Sequence, residues 1–203
     1  MMNGVSFLLS VWVKFFFLFT PFFALSMFLS MTKDYDEAHR RRLAVQTSGA
    51  VGVLCFALFF FGNAVFSFLG ITLDAFRVGA GALLFLSAVA LVHAKPDVQG
   101  PSREGDVTVV PLAIPIIVGP ATIGTLLVLG AEMPNATQKA LGCIALILAV
   151  ASVGAILWLA ASLERALGKK GIDILSKVTG VVLSAMAAQM ILTGIQHFLT
   201  KVP

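Results

Sequence analysis

Long apolar runs separated by short polar segments dominate the sequence. A helix needs about 20 apolar residues to cross the hydrocarbon core of a bilayer. The pattern predicts six such spans, near residues 5–31, 43–69, 73–93, 108–130, 139–163 and 174–199. We therefore expect an all-α membrane protein with six transmembrane helices.

Two of these spans contain a proline where the helix should continue. The breaks fall at Thr20-Pro21 and Gly119-Pro120, and the two prolines are 99 residues apart. Proline removes a backbone donor and collides with the preceding turn, so the first and fourth helices should be broken. In lipid, freed backbone groups are tolerated only where protein or a cavity satisfies them. Breaks at matching positions of two halves favour a transporter's binding site.

The spacing of the apolar spans also predicts an internal repeat. Each half contains three spans: residues 1–93 form the first repeat, 94–107 a cytoplasmic linker and 108–203 the second repeat. Asp74 and Asp173 share the 99-residue offset of the prolines. Because three spans carry the chain across the membrane, the second repeat should be inverted relative to the first.

Composition agrees with a membrane protein and argues against other classes. Hydrophobic residues make up 59% of the chain and charged residues 12%, whereas soluble domains have about 25% charged residues. No room remains for a separate soluble domain. The net charge of +4 is explained by anionic lipid headgroups, so the expected partner is the bilayer and not a nucleic acid.

Basic residues near the span ends predict the orientation. Nine occur in the first, third and fifth connections and two on the opposite side; the nine are Lys33, Arg40, Arg41, Arg42, Lys95, Arg103, Arg165, Lys169 and Lys170, and the two are Lys139 and Lys201. The side with more Lys and Arg is usually cytoplasmic. We therefore expect those three connections in the cytoplasm and both termini on the outer side of the membrane. Lys14, Arg77 and Lys177 lie within spans near their ends and should snorkel to the interface.

The region around the second break is the best candidate for a binding site. A half-helix beginning at Pro120 presents unpaired N–H groups and a partial charge of about +0.5 e, which suits a carboxylate. Carbonyl groups released upstream can accept from an ammonium group, so a small neutral amino acid fits both ends. The candidate substrate-binding residues are Thr20, Pro21 and Ser26 in the first half and Pro115, Gly119, Pro120, Ala121, Thr122 and Thr125 in the second. A purely structural kink is the alternative, since proline is common in membrane helices.

Signs of catalysis or metal binding are weak. No His, Cys or carboxylate set has the spacing of metal ligands, and Cys55 and Cys143 are expected to be apolar fillers. We expect no enzyme activity, cofactor or metal. No carboxylate lies at mid-membrane, so ion coupling would need backbone carbonyls and hydroxyls.

Two acidic residues at the starts of predicted helices have basic neighbours. Asp74 is followed by Arg77, and Asp173 by Lys177. An acid at a helix start favours the helix dipole. An ion pair or a cap is the expected role of each.

Two segments carry a family resemblance that covers nearly the whole chain. Residues 110–123, VPLAIPIIVGPATI, and residues 70–81, GITLDAFRVGAG, resemble the MarC family of bacterial inner-membrane proteins. The resemblance implies a multi-pass protein of a bacterial inner membrane, with both termini on the periplasmic side, built from two inverted three-span repeats with broken first and fourth helices. It also implies a relationship to transporters of neutral amino acids such as glycine and alanine. The matching motif positions are Pro21, Pro111, Pro115, Gly119, Pro120 and Thr122.

The first half departs from the family pattern. Relatives usually have Asp or Asn before the first proline, where this chain has Thr20, and bulky Phe22 and Phe23 follow. Our interpretation is an inner-membrane secondary transporter of small neutral amino acids or similar solutes that works by alternating access. The alternative is a non-transporting or degenerate integral membrane protein with a scaffold role. A homo-oligomer is also possible, because residues 56–61 form a Phe-rich face.

Overall fold

The structure is a computed structural model that describes residues 4–94, 113, 117–133 and 135–201. In this part of the chain every regular element is helical. The seven helices are α1 Gly4–Leu18, α2 Pro21–Met31, α3 Glu37–Leu69, α4 Leu73–His93, α5 Pro120–Ala131, α6 Ala136–Trp158 and α7 Ala160–Lys201. The prediction of an all-α membrane protein is confirmed at this level.

The first predicted span is broken at the predicted residue. Thr20 has φ 46° and ψ 56°, a left-handed conformation that ends α1, and Pro21 opens α2. The N–H of Thr20 donates to Phe17 O at 2.9 Å, and the N–H of Ala24 donates to Thr20 O at 2.9 Å. Proline is well placed at the first helical position because its missing N–H would have no partner there. The break therefore costs few backbone hydrogen bonds.

The described helices account for five to six membrane spans. Five segments are long and apolar enough to cross, with α1 and α2 counted together. Helix α5 has 12 residues, or about 18 Å, which is shorter than the roughly 30 Å hydrocarbon core. The rest of the predicted fourth span, including Pro111 and Pro115, and residues 95–107 of the predicted linker lie outside the described residues.

Helix α3 begins earlier than the sequence predicted. We expected a connection up to residue 42, but α3 starts at Glu37. Asp36 caps it, since its carboxylate accepts from the N–H of His39 at 3.4 Å. An acidic N-cap satisfies one of the free donors of the first turn, so the arginines that follow belong to the helix.

The predicted loop at 164–173 is wrong. Helix α7 already begins at Ala160 and continues to Lys201, and only Gly168 departs from helical geometry, with φ 65° and ψ 166°. Leu, Glu, Arg, Ala and Lys in this segment are strong helix formers, and glycine adopts positive φ at little cost. A short helix and a glycine kink thus connect α6 to the last span.

Helix α5 lies in the core and packs closely against α3. Every residue of α5 from Ala121 to Gly130 is buried except Ile123. A Cβ on Gly62 of α3 would overlap the carbonyl of Leu127, and a Cβ on Gly130 would overlap the carbonyl of Phe59. The two backbones are therefore in direct contact, as small residues permit in membrane helices.

Helices α4 and α7 pack against each other in antiparallel orientation. A Cβ on Gly81 would lie 3.2 Å from Ala187 O, and a Cβ on Gly180 would lie 3.0 Å from Ala88 O. Helix α1 packs on α6, and α2 packs on α7. The described helices thus form one bundle, in which α5 packs on α3 and α4.

Contacts at the two ends of the bundle show which chain segments meet there. At one end, a Cβ on Gly4 would lie 3.9 Å from Leu141 of α6, and the end of α7 contacts the start of α4. Both described chain ends therefore lie on the same side. At the opposite end, Arg40 Nη2 donates to Thr32 O at 2.9 Å, and Arg41 lies over the ring of Trp158.

Candidate functional site

The second break has an irregular backbone immediately before Pro120. The N–H of Val118 donates to Ala113 O at 2.9 Å. Gly119 is extended, with φ −83° and ψ 177°, and caps α5. The N–H of Ile123 donates to Gly119 O at 2.9 Å. Since Pro120 has no N–H, Ala121 and Thr122 supply the free donors of this helix start among the described residues.

The start of α5 lies at the middle of the bundle. Pro120 lines a cavity together with Gly79 and Leu83, which stand near the centre of the 21-residue α4. At the far end of α5, Glu132 pairs with Arg77. The half-helix therefore runs from mid-bundle to the end that carries the chain termini.

Two threonine hydroxyls stand in the first turns of α5. Thr122 Oγ1 donates to Ile117 O at 3.1 Å, across the break. Thr125 is 2% exposed, and its Oγ1 has no hydrogen-bond partner among the described residues. A buried hydroxyl without a partner costs about 1–3 kcal/mol. Thr125 therefore has an unused hydrogen-bonding group, as have two other buried residues, Thr47 and Ser176.

A cavity of about 670 Å³ opens between α4 and α5. Its lining is almost wholly apolar and consists of Ile71, Ala75, Phe76, Gly79, Ala80, Leu83, Pro120, Ile123 and Gly124. At about 100° per residue, Thr122 and Thr125 lie on the opposite face of α5 from Pro120, Ile123 and Gly124. The cavity and the hydroxyl face are thus two separate environments in this conformation.

The first break supplies fewer polar groups than expected. Thr20 is half-buried, Pro21 is buried and Ser26 is on the exposed side of α2. The side chain of Thr20 does not cap α2. In the described part of the chain no hydrogen bond joins Thr20 to Thr122 or Thr125. The roles of Thr20, Pro21 and Ser26 in binding stay predictions, and Pro115 lies outside the described residues.

The sequence did not reveal a cluster of ionisable groups at the end with the chain termini. Arg77 Nη1 lies 2.8 Å from Asp74 Oδ1, and Arg77 Nε lies 2.8 Å from Glu132 Oε1. His197 Nδ1 lies 3.0 Å from Arg77 Nη1. We call these four side chains the ionic cluster.

The ionic cluster corrects one prediction and confirms another. Arg77 is 7% exposed, so the expectation that it snorkels is wrong: two carboxylates hold the guanidinium inside the bundle. The predicted pairing of Asp74 with Arg77 is confirmed, and Lys177 Nζ pairs with Asp173 Oδ2 at 2.8 Å. Only the tertiary packing brings Glu132 and His197 to this pair, since both lie far from it in the sequence.

Comparison with known proteins identifies the family. The model of the "MarC family integral membrane protein" matches residues 5–199. A "UPF0056 membrane protein" of Aquifex aeolicus is 30% identical over 188 residues, covering 88% of this chain and 87% of the relative. The "UPF0056 inner membrane protein YhgN" of Escherichia coli is 31% identical over 181 residues, covering 88% and 91%.

A further relative extends the match to a Gram-positive bacterium. The "UPF0056 membrane protein YvbG" of Bacillus subtilis is 29% identical over 204 residues, covering 94% of this chain and 95% of the relative. No solved structure matches the chain significantly. The family match spans the broken first helix, the irregular stretch before α5 and the last helix, and the chain therefore belongs to the MarC family of integral membrane proteins.

Proposed function

We propose that this protein is a secondary transporter of the inner membrane that moves small neutral amino acids or similar small solutes by alternating access. The observation that carries the proposal is the start of α5 at Pro120, in the middle of the bundle, with free N–H donors. Interrupted helices whose termini meet at mid-membrane are the usual binding sites of secondary transporters. The inner-membrane location is supported by the printed name of the Escherichia coli relative.

The N–H groups of Ala121 and Thr122 are suited to a carboxylate. They point along the axis of α5 toward its positive end, where a carboxylate is favoured. The unpartnered hydroxyl of Thr125 adds a group one turn away. The ammonium group of an amino acid would bind carbonyl oxygens before the break, such as that of Ile117, which already accepts from Thr122.

The buried state of the hydroxyl face agrees with an occluded conformation. Thr122 is 6% and Thr125 2% exposed, so a solute at these hydroxyls has no direct path to water among the described residues. Alternating access requires that the site be closed at some stage and opened to each side in turn. Motion of the helices around α5 would supply the two openings.

An inverted repeat is supported by two contacts between α4 and α7. Gly81 approaches Ala187 O, and Gly180 approaches Ala88 O. With the repeat offset of 99 residues, Gly81 corresponds to Gly180 and Ala88 corresponds to Ala187. The two contacts are therefore equivalent to each other under the repeat. Helices α2 and α5, which begin at the equivalent Pro21 and Pro120, behave in the same way: α2 packs on α7, and α5 packs on α4. A pseudo-twofold axis between the halves accounts for all these pairs.

Counterflow in liposomes tests the proposal. Purified protein preloaded with unlabelled glycine, alanine or serine should take up the labelled amino acid. Thr125→Val should reduce this uptake about tenfold, because a charged group loses a hydrogen bond of about 1.5 kcal/mol. Thr137→Val is the matched control, since Thr137 is exposed at the start of α6. Equal uptake by wild type and Thr125→Val would refute this placement of the site.

A non-transporting membrane protein is the second candidate. Phe15, Phe19 and Phe28, in the segment around the first break, are fully buried, whereas Ser26 is exposed. The interior of the first half is therefore mainly apolar here. A ligand that binds only the folded state must raise its thermal stability. No thermal shift with any amino acid, together with no counterflow, would favour this second function.

A further inference from the structure

We propose that a second copy of this chain packs on the exposed face of α7 around Gln189, and that the two Gln189 side chains hydrogen-bond to each other. The dimer is symmetric, and its interface lies inside the membrane. It does not rest on the proposed transport, because it depends only on the surface of α7.

Gln189 lies well inside the hydrocarbon core. A Cβ on Gly81 of α4 would lie 3.2 Å from Ala187 O and 2.7 Å from Ile191 Cγ1. Gln189 stands between these two residues of α7 and is therefore at the depth of Gly81. Helix α4 has 21 residues, or about 31 Å, which matches the roughly 30 Å of the core. Gly81 is about 12 Å along the axis from Leu73, where α4 begins.

The side chain of Gln189 points away from the rest of the bundle. At about 100° per residue, Gly180, Ala187 and Gly194 share one face of α7. This face contacts α4, because a Cβ on Gly180 or Gly194 would meet backbone carbonyls of α4. Gln189 is about 140° or more around the helix from each of these three residues, and it is exposed. It is therefore directed toward the lipid.

The carboxamide of Gln189 uses only part of its hydrogen-bonding capacity. Its Nε2 donates to Thr193 Oγ1 at 3.3 Å, and that hydroxyl donates to the backbone O of Gln189 at 2.8 Å. A carboxamide offers two N–H donors and an oxygen with two lone pairs. In the described part of the chain, one N–H and Oε1 are therefore left without a partner. Ser184 of α7 differs, since its hydroxyl donates to Val181 O at 2.7 Å on the same helix.

Lipid chains cannot supply the missing partners of Gln189. They have neither donors nor acceptors, and an unpaired amide is strongly unfavourable in an apolar environment. A second Gln189 supplies both, because a carboxamide donates and accepts.

The membrane itself brings the two Gln189 side chains together. Two copies inserted in the same orientation carry Gln189 at the same depth, and a twofold axis along the membrane normal makes the same surface of each copy meet. The free N–H of each Gln189 then donates to Oε1 of the other, as polar side chains do between membrane helices.

The residues beside Gln189 suit a close pair of helices. Ala185 precedes it by one turn, Leu192 follows it on the same side of α7, and both are exposed. A small residue such as Ala185 lets two membrane helices approach. Leu192 then packs beside the polar pair and keeps it apart from the lipid.

Other exposed faces of the bundle are compatible with lipid alone. With the repeat offset of 99 residues, Gln189 corresponds to Ala90 of α4, which is exposed and apolar. The Phe-rich face of residues 56–61 also needs no second copy, since phenyl rings are as apolar as lipid chains. The unpaired carboxamide therefore places the interface on α7.

The dimer fraction of the full-length protein in liposomes tests the proposal. Single-molecule photobleaching at falling protein-to-lipid ratios should show wild-type dimers that dissociate on dilution. Gln189→Leu should raise the dissociation constant about tenfold, the effect of losing a hydrogen bond between membrane helices. Gln46→Leu is the matched control and should behave as the wild type, because Gln46 is exposed on α3. A wild type that is monomeric at every ratio, or equal dimerisation of wild type and Gln189→Leu, would overturn the proposal.

Cross-linking locates the interface while Gln189 is intact. In a background with Cys55→Ala and Cys143→Ala, a short bifunctional thiol reagent should join two copies of Ala185→Cys in native membranes. Ala90→Cys, at the repeat equivalent of Gln189, is the control and should stay uncross-linked. Adding Gln189→Leu to Ala185→Cys should remove most of the cross-linked product. Cross-linking through Ala90→Cys but not through Ala185→Cys would overturn the proposal.

Discussion

Gly130 of α5 lies directly against the carbonyl of Phe59 in α3, with no room for a Cβ atom between them. The reciprocal contact, Gly62 with the carbonyl of Leu127, places the two backbones side by side. A methyl group at either glycine must push the helices apart, which typically costs about 1–3 kcal/mol.

Gly130→Ala should therefore lower the unfolding temperature of the detergent-purified protein. Gly49→Ala in α3 is the matched control, because nothing lies within 4 Å of its Cβ position. Alanine is about 1 kcal/mol better than glycine inside a helix, so the control should be neutral or stabilised. Equal stability of Gly130→Ala and Gly49→Ala would show that α3 and α5 are not in backbone contact.

Replacement of Arg77 should destabilise the protein strongly. Arg77→Met leaves the buried carboxylate of Asp74 without its guanidinium partner, and loss of one member of a buried ion pair costs about 3–5 kcal/mol. Lys177→Met is the comparison, since its pair with Asp173 is 39% exposed on the lysine side. Thermal and denaturant unfolding should rank Arg77→Met far below Lys177→Met. A similar small effect for both variants would mean that the ionic cluster contributes little to stability.

Thr20→Gly should stabilise the folded protein. Thr20 has φ 46°, and a left-handed conformation costs a residue with a Cβ roughly 1–2 kcal/mol. Glycine adopts it freely but loses more entropy on folding, so we expect a net gain of about 0.5–1 kcal/mol. Ser26→Gly, within α2, should destabilise by about 0.5 kcal/mol, because glycine is a poorer helix former than serine. If Thr20→Gly instead loses stability as Ser26→Gly does, the break is not strained.

Cysteine labelling in intact cells tests the predicted orientation. In a background with Cys55→Ala and Cys143→Ala, a membrane-impermeant thiol reagent should label Thr137→Cys, near the chain termini. It should not label Lys170→Cys, at the basic end, until the cells are opened. The excess of Lys and Arg at that end should keep it cytoplasmic. The reverse labelling pattern would place the termini in the cytoplasm.

The sequence predicted the breaks because proline chemistry is local. Pro21 and Pro120 cannot accept a continuous helix whatever surrounds them, and both stand at the first position of a helix. The apolar runs likewise predicted the long helices, since crossing the hydrocarbon core needs about 20 apolar residues.

The rest of the site depends on packing that no local pattern encodes. The helix from Ala160 to Leu167 replaced a predicted loop because its residues are good helix formers despite their charge. The sequence predicted that Arg77 snorkels because two of its partners, Glu132 and His197, are 55 and 120 residues away in the chain. The exposed position of Ser26 follows from how α2 sits on α7, which a single sequence does not reveal.

The backbone contact of α3 with α5 also decides which parts of the molecule move. Helix α3 belongs to the first half of the sequence and α5 to the second, yet their glycines leave no gap along which they could slide. Closely packed backbones resist displacement, so we expect these two helices to move together. Under the proposed alternating access, the covalent halves of the chain would therefore not be its moving halves, and the opening motion would pass along other helix boundaries.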